Sequence, residues 1–111
     1  MEQGAAERIL RLVGLGVRSR GAIIGVELVR EAAKKGKLAL ALVAADASKN
    51  SVDKVVPLLE ARRIPIIEVE SAVALGEAVG RRQTTAVGIV DMQLAKGIRA
   101  LVDSPRERGT T

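Results

Sequence analysis
The chain has 111 residues with 18 Lys and Arg against 13 Asp and Glu, a formal net charge of +5, and contains no Cys, His, Phe, Tyr or Trp. This length suits one domain with a working core of Leu, Ile, Val and Ala, while the missing residue types exclude disulfides, thiolate metal sites, imidazole catalysis and base stacking on aromatic rings. The positive balance favours an anionic partner and salt-sensitive affinity for nucleic acid. MEQGAAERIL lacks the basic flank and long apolar run of a signal peptide, and no segment reaches membrane-spanning length, so a cytoplasmic protein with no membrane partner is expected.

Residues 5–13 carry Ile9, Leu10, Leu12 and Val13 at helical spacing, and Gly14 and Gly16 are expected to loosen the end of that helix. Ile23 and Ile24 suggest a brief strand. A helix opening at Gly25 follows, with Val26, Val29 and Ala33 on one apolar stripe and Leu28 and Ala32 beside it. Glu27, Arg30, Glu31, Lys34 and Lys35 face outward, and Gly36 fits the left-handed position past the end. Residues 38–45 are uniformly apolar, which predicts a central strand covered on both faces.

The polar stretch at 46–51 is turn chemistry, with Asn50 or Ser51 able to cap a helix reaching Arg63. Pro57 removes a helical hydrogen bond, so the regular helix is expected to begin near it after a looser turn. IPIIEV, residues 64–69, predicts a further strand with Pro65 near its start. Ser71 is expected to cap a short helix ending at Gly80, RRQT forms a loop, TAVGIV forms a strand, and Asp91 caps a last helix carrying Leu94, Ile98, Leu101 and Val102. Residues 1–103 form the expected domain and 104–111 a disordered tail. Alternating helices and strands give an α/β fold with helices on both faces of a sheet.

Few stretches suggest chemistry. GLGVRSRG contains a GxG, but it follows a helix, whereas a dinucleotide fingerprint follows a strand. No GxxxxGK[ST] phosphate loop is present. Asp46 ends the central strand without a base or metal partner nearby in sequence, and a turn-capping role fits it best. These absences predict no enzyme, no cofactor and no small-molecule substrate. Arg81 and Arg82, in a loop after a helix, are either a solvated pair or phosphate contacts, and Arg18, Arg20, Lys34, Lys35 and Lys37 share that ambiguity. The helix start at Gly25 offers free N–H groups to a phosphate or base edge, although Glu27 opposes a phosphate there.

LVGLGVRSRGAIIGVELVREAAKKGKLALALVAADASKN, followed by RRIPIIEVE, ALGEAVG and TTAVGIVD, resembles the small bacterial YlxQ-like proteins. These are members of the kink-turn RNA-binding superfamily that includes ribosomal proteins L7Ae and L30e. The resemblance runs from about Ile9 to Leu101. It implies a three-layer α/β/α sandwich with a four-stranded mixed sheet, and a monomer that binds structured, kink-turn-type RNA, with ribosomal RNA among the candidates. It also implies an RNA-binding surface formed by Gly25, Val26, Glu27, Leu28, Arg30 and Glu31 at the helix start, together with Arg81, Arg82, Gln83, Thr84 and Thr85 in the loop.

The best-known members carry GxNExxK at the helix start, with Asn and Glu facing guanines and Lys reaching phosphate. Here the matching positions hold Glu27, Leu28 and Glu31. Leucine cannot accept a guanine hydrogen bond, and Arg30 projects about 100° from Glu31 around the helix. The departure keeps open an alternative function, a protein-interaction scaffold of the same fold with weakened RNA recognition.

Overall fold
Side chains alternate between the two faces of a strand, so the apolar run after Lys37 feeds two separate cores. Leu40 and Leu42 enter one, and Ala41 and Val43 enter the other. The computed structural model describes residues 3–103; the tail expected at 104–111 lies outside the described residues, as do positions 1 and 2. The elements are α1 (Gln3–Arg18), β1 (Ala22–Ile24), α2 (Val26–Lys34), β2 (Leu40–Ala44), α3 (Lys49–Ala61), β3 (Ile66–Val69), α4 (Ala72–Val79), β4 (Ala86–Ile89) and α5 (Met92–Asp103).

The strands form one sheet in the order β1-β4-β2-β3. β4 runs antiparallel to both β1 and β2, whereas β2 and β3 are parallel, so the sheet is mixed. All five residues of β2 are buried, as expected for an interior strand covered on both faces. Ile9 and Val13 of α1, Leu75 and Val79 of α4 and Ile98 of α5 pack on one face. Val29 and Ala33 of α2 and Val55 and Leu59 of α3 pack on the other. The result is the expected three-layer α/β/α sandwich.

Caps at Ser71 and Asp91 form as the sequence suggests. Ser71 Oγ accepts from the Ala74 amide at 3.0 Å, and Asp91 Oδ1 accepts from Gln93 and Leu94 at 2.8 and 3.1 Å. Gly36 and Gly80 take left-handed backbone, with φ of 70° and 81°.

Four expectations are corrected. First, α1 continues through Gly14 and Gly16 to Arg18. These glycines permit close packing: a Cβ on Gly14 would meet the Ala78 carbonyl oxygen at 2.7 Å, and one on Gly16 would meet the Leu94 side chain at 2.4 Å. Second, α3 runs unbroken past Pro57. That residue is exposed, so the carbonyl deprived of its amide partner can turn to water. On the same turn the Lys54 carbonyl accepts a hydrogen bond from Arg30 Nη1. Third, Ser48 caps α3, its Oγ accepting from the Ser51 amide at 3.2 Å, in place of Asn50 or Ser51. Fourth, Leu28 is 50% exposed, although the apolar stripe of α2 suggests that it lies beside the core.

Candidate nucleic-acid interface
Gly25 links the two segments singled out in the sequence. Its amide donates to the Ala86 carbonyl at 2.9 Å, and its own carbonyl accepts from Val29 at 3.0 Å to begin α2. Ala86 directly follows the loop 81–85, and β1 pairs with β4 so that Ile24 lies opposite Val87. The start of α2 and the end of this loop therefore adjoin at one end of the sheet. Gly25 has φ 106° and ψ 153°, a backbone region that is essentially confined to glycine.

On α2, Glu27 and Leu28 are exposed, while Val26 is half-buried. Glu31 is exposed and lies 3.9 Å from Lys35. Arg30 is half-buried, with its guanidinium engaged by the Lys54 carbonyl of α3. That contact ties α2 to α3 and limits how far Arg30 can substitute for a lysine at position 31. Glu27, Leu28, Arg30, Glu31 and Lys34 line a shallow surface cleft of about 350 Å³.

In the loop, Arg81, Arg82 and Gln83 are exposed, Thr85 is half-buried and Thr84 is 7% exposed. The loop is held at both ends. The Arg81 amide donates to the Gly76 carbonyl at 2.8 Å, and the Thr84 amide donates to Ala72 at 2.9 Å. Gly76 lets the loop lie directly against α4, because a Cβ there would approach the backbone of Gln83 to 2.5 Å.

A polar cleft of about 330 Å³ opens at the same end of the sheet, lined by Asp46, Ala47, Ser48, Ser51, Ala72, Gln83, Thr84 and Thr85. Sequence reasoning does not join its first five residues to the loop. The available signal is the abrupt change from apolar residues to ADAS after β2, which on its own reads as turn chemistry. Asp46 does more than turn the chain: its Oδ1 accepts from the Ala72 amide at 2.7 Å and clamps the start of α4 to the end of β2. Nearby, the Asp53 carboxylate accepts a hydrogen bond from Lys49 Nζ at 2.8 Å. This bond and the accompanying charge attraction hold the lysine pKa above its ordinary value.

Among the described residues no group of three His, Cys, Asp or Glu could hold a metal, and no helix is long and apolar enough to cross a membrane. The site offers backbone amides, hydroxyls, carboxylates and two exposed guanidiniums, which suits hydrogen bonding to base edges and phosphates.

Residues 7–98 match the ribosomal protein L7Ae/L30e/S12e/Gadd45 family. The chain therefore belongs to that family, and its curated relatives make it YlxQ-like. It is 30% identical over 92 residues to RNA-binding protein YlxQ of Bacillus subtilis (strain 168), covering 83% of this chain and 92% of that one. It is 29% identical over 103 residues to RNA-binding protein YlxQ of Enterococcus faecium, covering 93% and 99% of the two chains. Among solved structures, a Bacillus halodurans protein of unknown function superimposes with a TM-score of 0.79 at 28% identity, over 86% of this chain and 97% of the other. A Giardia lamblia 15.5kD RNA binding protein superimposes with a TM-score of 0.75 at 23% identity, over 92% and 88%, which speaks for the fold.

Proposed function
We propose that this protein is a non-catalytic RNA-binding protein that recognises kink-turn or similarly bent structured RNA, with ribosomal RNA among the candidate ligands. The observation that carries the reading is the 2.9 Å hydrogen bond between Gly25 and Ala86, which makes the α2 tip and the arginine-bearing loop neighbours. Family membership and the names of the YlxQ relatives support RNA as the partner class. In this reading Gly25 shapes the tip of α2, Val26 brings a backbone amide to the RNA, Glu27 meets a base edge, and Arg81 and Arg82 meet phosphates beside bulged nucleotides. The cytoplasm is the compartment that this role implies. Binding is tested by titrating a kink-turn RNA and a control in which the sheared G·A pairs are replaced. The kink-turn RNA should bind at least tenfold more tightly, and equal affinity would reduce the function to general RNA binding.

A second reading, a protein-interaction scaffold, draws on the half-exposed Leu28 between Glu27 and Glu31. Retention of a protein partner after nuclease treatment, abolished by Leu28→Asp, would favour it over RNA recognition.

A further inference from the structure
Strands β1, β2 and β3 all point the same way, because β1 and β2 each run antiparallel to β4 and β3 is parallel to β2. Their first residues are therefore side by side: Ala22 and Leu40 both pair with Ile89, and Ala41 pairs with Ile66. Each strand is entered from the C-terminal end of a helix through a basic segment. Arg18 and Arg20 precede β1, Lys34, Lys35 and Lys37 precede β2, and Arg62 and Arg63 precede β3. All seven are exposed. Arg62 Nη1 donates to the Lys34 carbonyl at 3.2 Å, which holds the ends of α2 and α3 together.

Among the described residues only Lys35 of these seven has an ion-pair partner, Glu31 at 3.9 Å. Glu60 and Asp91 also lie near this end, but Asp91 is engaged in capping α5. Apart from Arg18, whose guanidinium reaches back one turn toward Gly14, positive charge thus collects at the pole of the sheet opposite the α2 tip, separated from it by the length of β2, roughly 16 Å.

Helix dipoles favour Lys34 and Lys35 in the last turn of α2. They do not explain Arg20 and Arg63. With φ of 67° and 57°, these are the non-glycine residues with left-handed backbone among those described. Both follow a helix end, where the chain elsewhere uses Gly36 and Gly80. Glycine would suit the backbone better at 20 and 63, yet each carries a guanidinium with no side-chain hydrogen bond or ion pair among the described residues.

We infer that this pole is a second RNA-contacting surface, taking backbone phosphates of a segment other than the one at the α2 tip. The inference rests on reading the protein as an RNA binder, but not on where that reading locates its recognition end. The pole spans about three strand spacings, roughly 14 Å. Exposed cations that mostly lack an ion-pair partner, entering three neighbouring strands, suit a repeating polyanion.

The test uses the full chain, fluorescence anisotropy with a kink-turn RNA and its G·A-replaced control, and several salt concentrations. The variants are R20G/R63G and R20Q/K37Q/R63Q. The glycine pair should melt at or above the parent temperature. It should bind both RNAs several-fold more weakly, with a log–log salt slope shallower by about one unit for each phosphate no longer neutralised, and the ratio between the two RNAs should not change. The glutamine variant provides the same readout independently of backbone effects, with the slope shallower by up to about three units. Unchanged affinity and slope in both variants while the parent binds RNA would overturn the second surface alone. A parent that binds neither RNA at any salt would contradict the RNA reading and this inference with it.

Discussion

Gly76 of α4 lies so close to Gln83 that a Cβ added to the glycine would sit 2.5 Å from the Gln83 Cα, 2.7 Å from its nitrogen and 2.9 Å from its carbonyl carbon. All three neighbours are backbone, so no side-chain rotation relieves the clash. Overpacking of this kind costs about 1–3 kcal/mol, of which better helix propensity returns about 1. Gly76→Ala should therefore lose up to about 2 kcal/mol in urea unfolding. It should also shift the backbone resonances of the loop 81–85.

Gly25→Ala meets no crowding, since nothing lies within 4 Å of the added Cβ, but its φ of 106° is strained for any side chain. A cost of about 1–3 kcal/mol is expected, expressed as a lower melting temperature. Under the proposed function it should also weaken RNA binding. A variant that keeps parental stability would mean that the start of α2 rearranges freely.

Asp46 offers a different check, because its hydrogen bond from the Ala72 amide joins the two elements flanking the polar cleft. Asp46→Ala removes a charge-assisted hydrogen bond and should cost about 1.5 kcal/mol, the lower end of the usual range because the residue is exposed. Asp46→Asn keeps an acceptor and should restore part of the stability. Thermal melts of the two variants separate these outcomes.

Arg81→Ala with Arg82→Ala removes two exposed cations without touching the core. The melting temperature should be unchanged, while the log–log salt slope of RNA binding flattens by about one unit for every phosphate that these guanidiniums neutralise in the parent. If affinity and slope both stay at parental values, these arginines are solvated surface charges.

Glu27→Asn, Leu28→Glu and Glu31→Lys together restore the family pattern at the α2 start. The exposed Glu31–Lys35 pair is sacrificed, and such pairs contribute a few tenths of a kcal/mol, about 0.2–0.5. Since each well-made base contact discriminates by about 1–3 kcal/mol, affinity for kink-turn RNA should rise tenfold or more over the control. No gain would indicate that this chain engages RNA in another way.

The elements most legible in the sequence are those whose signals are local. The apolar run at β2, the hydroxyl and carboxylate caps at Ser71 and Asp91, and the glycines after α2 and α4 each specify their own structure within a few residues. What escapes depends on distant partners. Gly14 and Gly16 read as helix breakers, but their close neighbours are Ala78 and Leu94, far along the chain. Pro57 reads as a helix start, because its exposure on α3 is a tertiary fact. Leu28 shares apolar character with Ala32 yet points away from the sheet. At the candidate site, residue patterns mark Gly25 and the arginine pair separately. Only the family resemblance unites them, whereas the Gly25–Ala86 hydrogen bond arises from the pairing of β1 with β4, two strands more than 60 residues apart in sequence.

Amide chemical-shift mapping of the isotopically labelled protein during titration with kink-turn RNA tests the central claim most directly. The account expects residues 25–31 and 81–85 to shift together and to saturate along one binding curve. Saturation with shifts confined to other surfaces, leaving both segments unmoved, would contradict it.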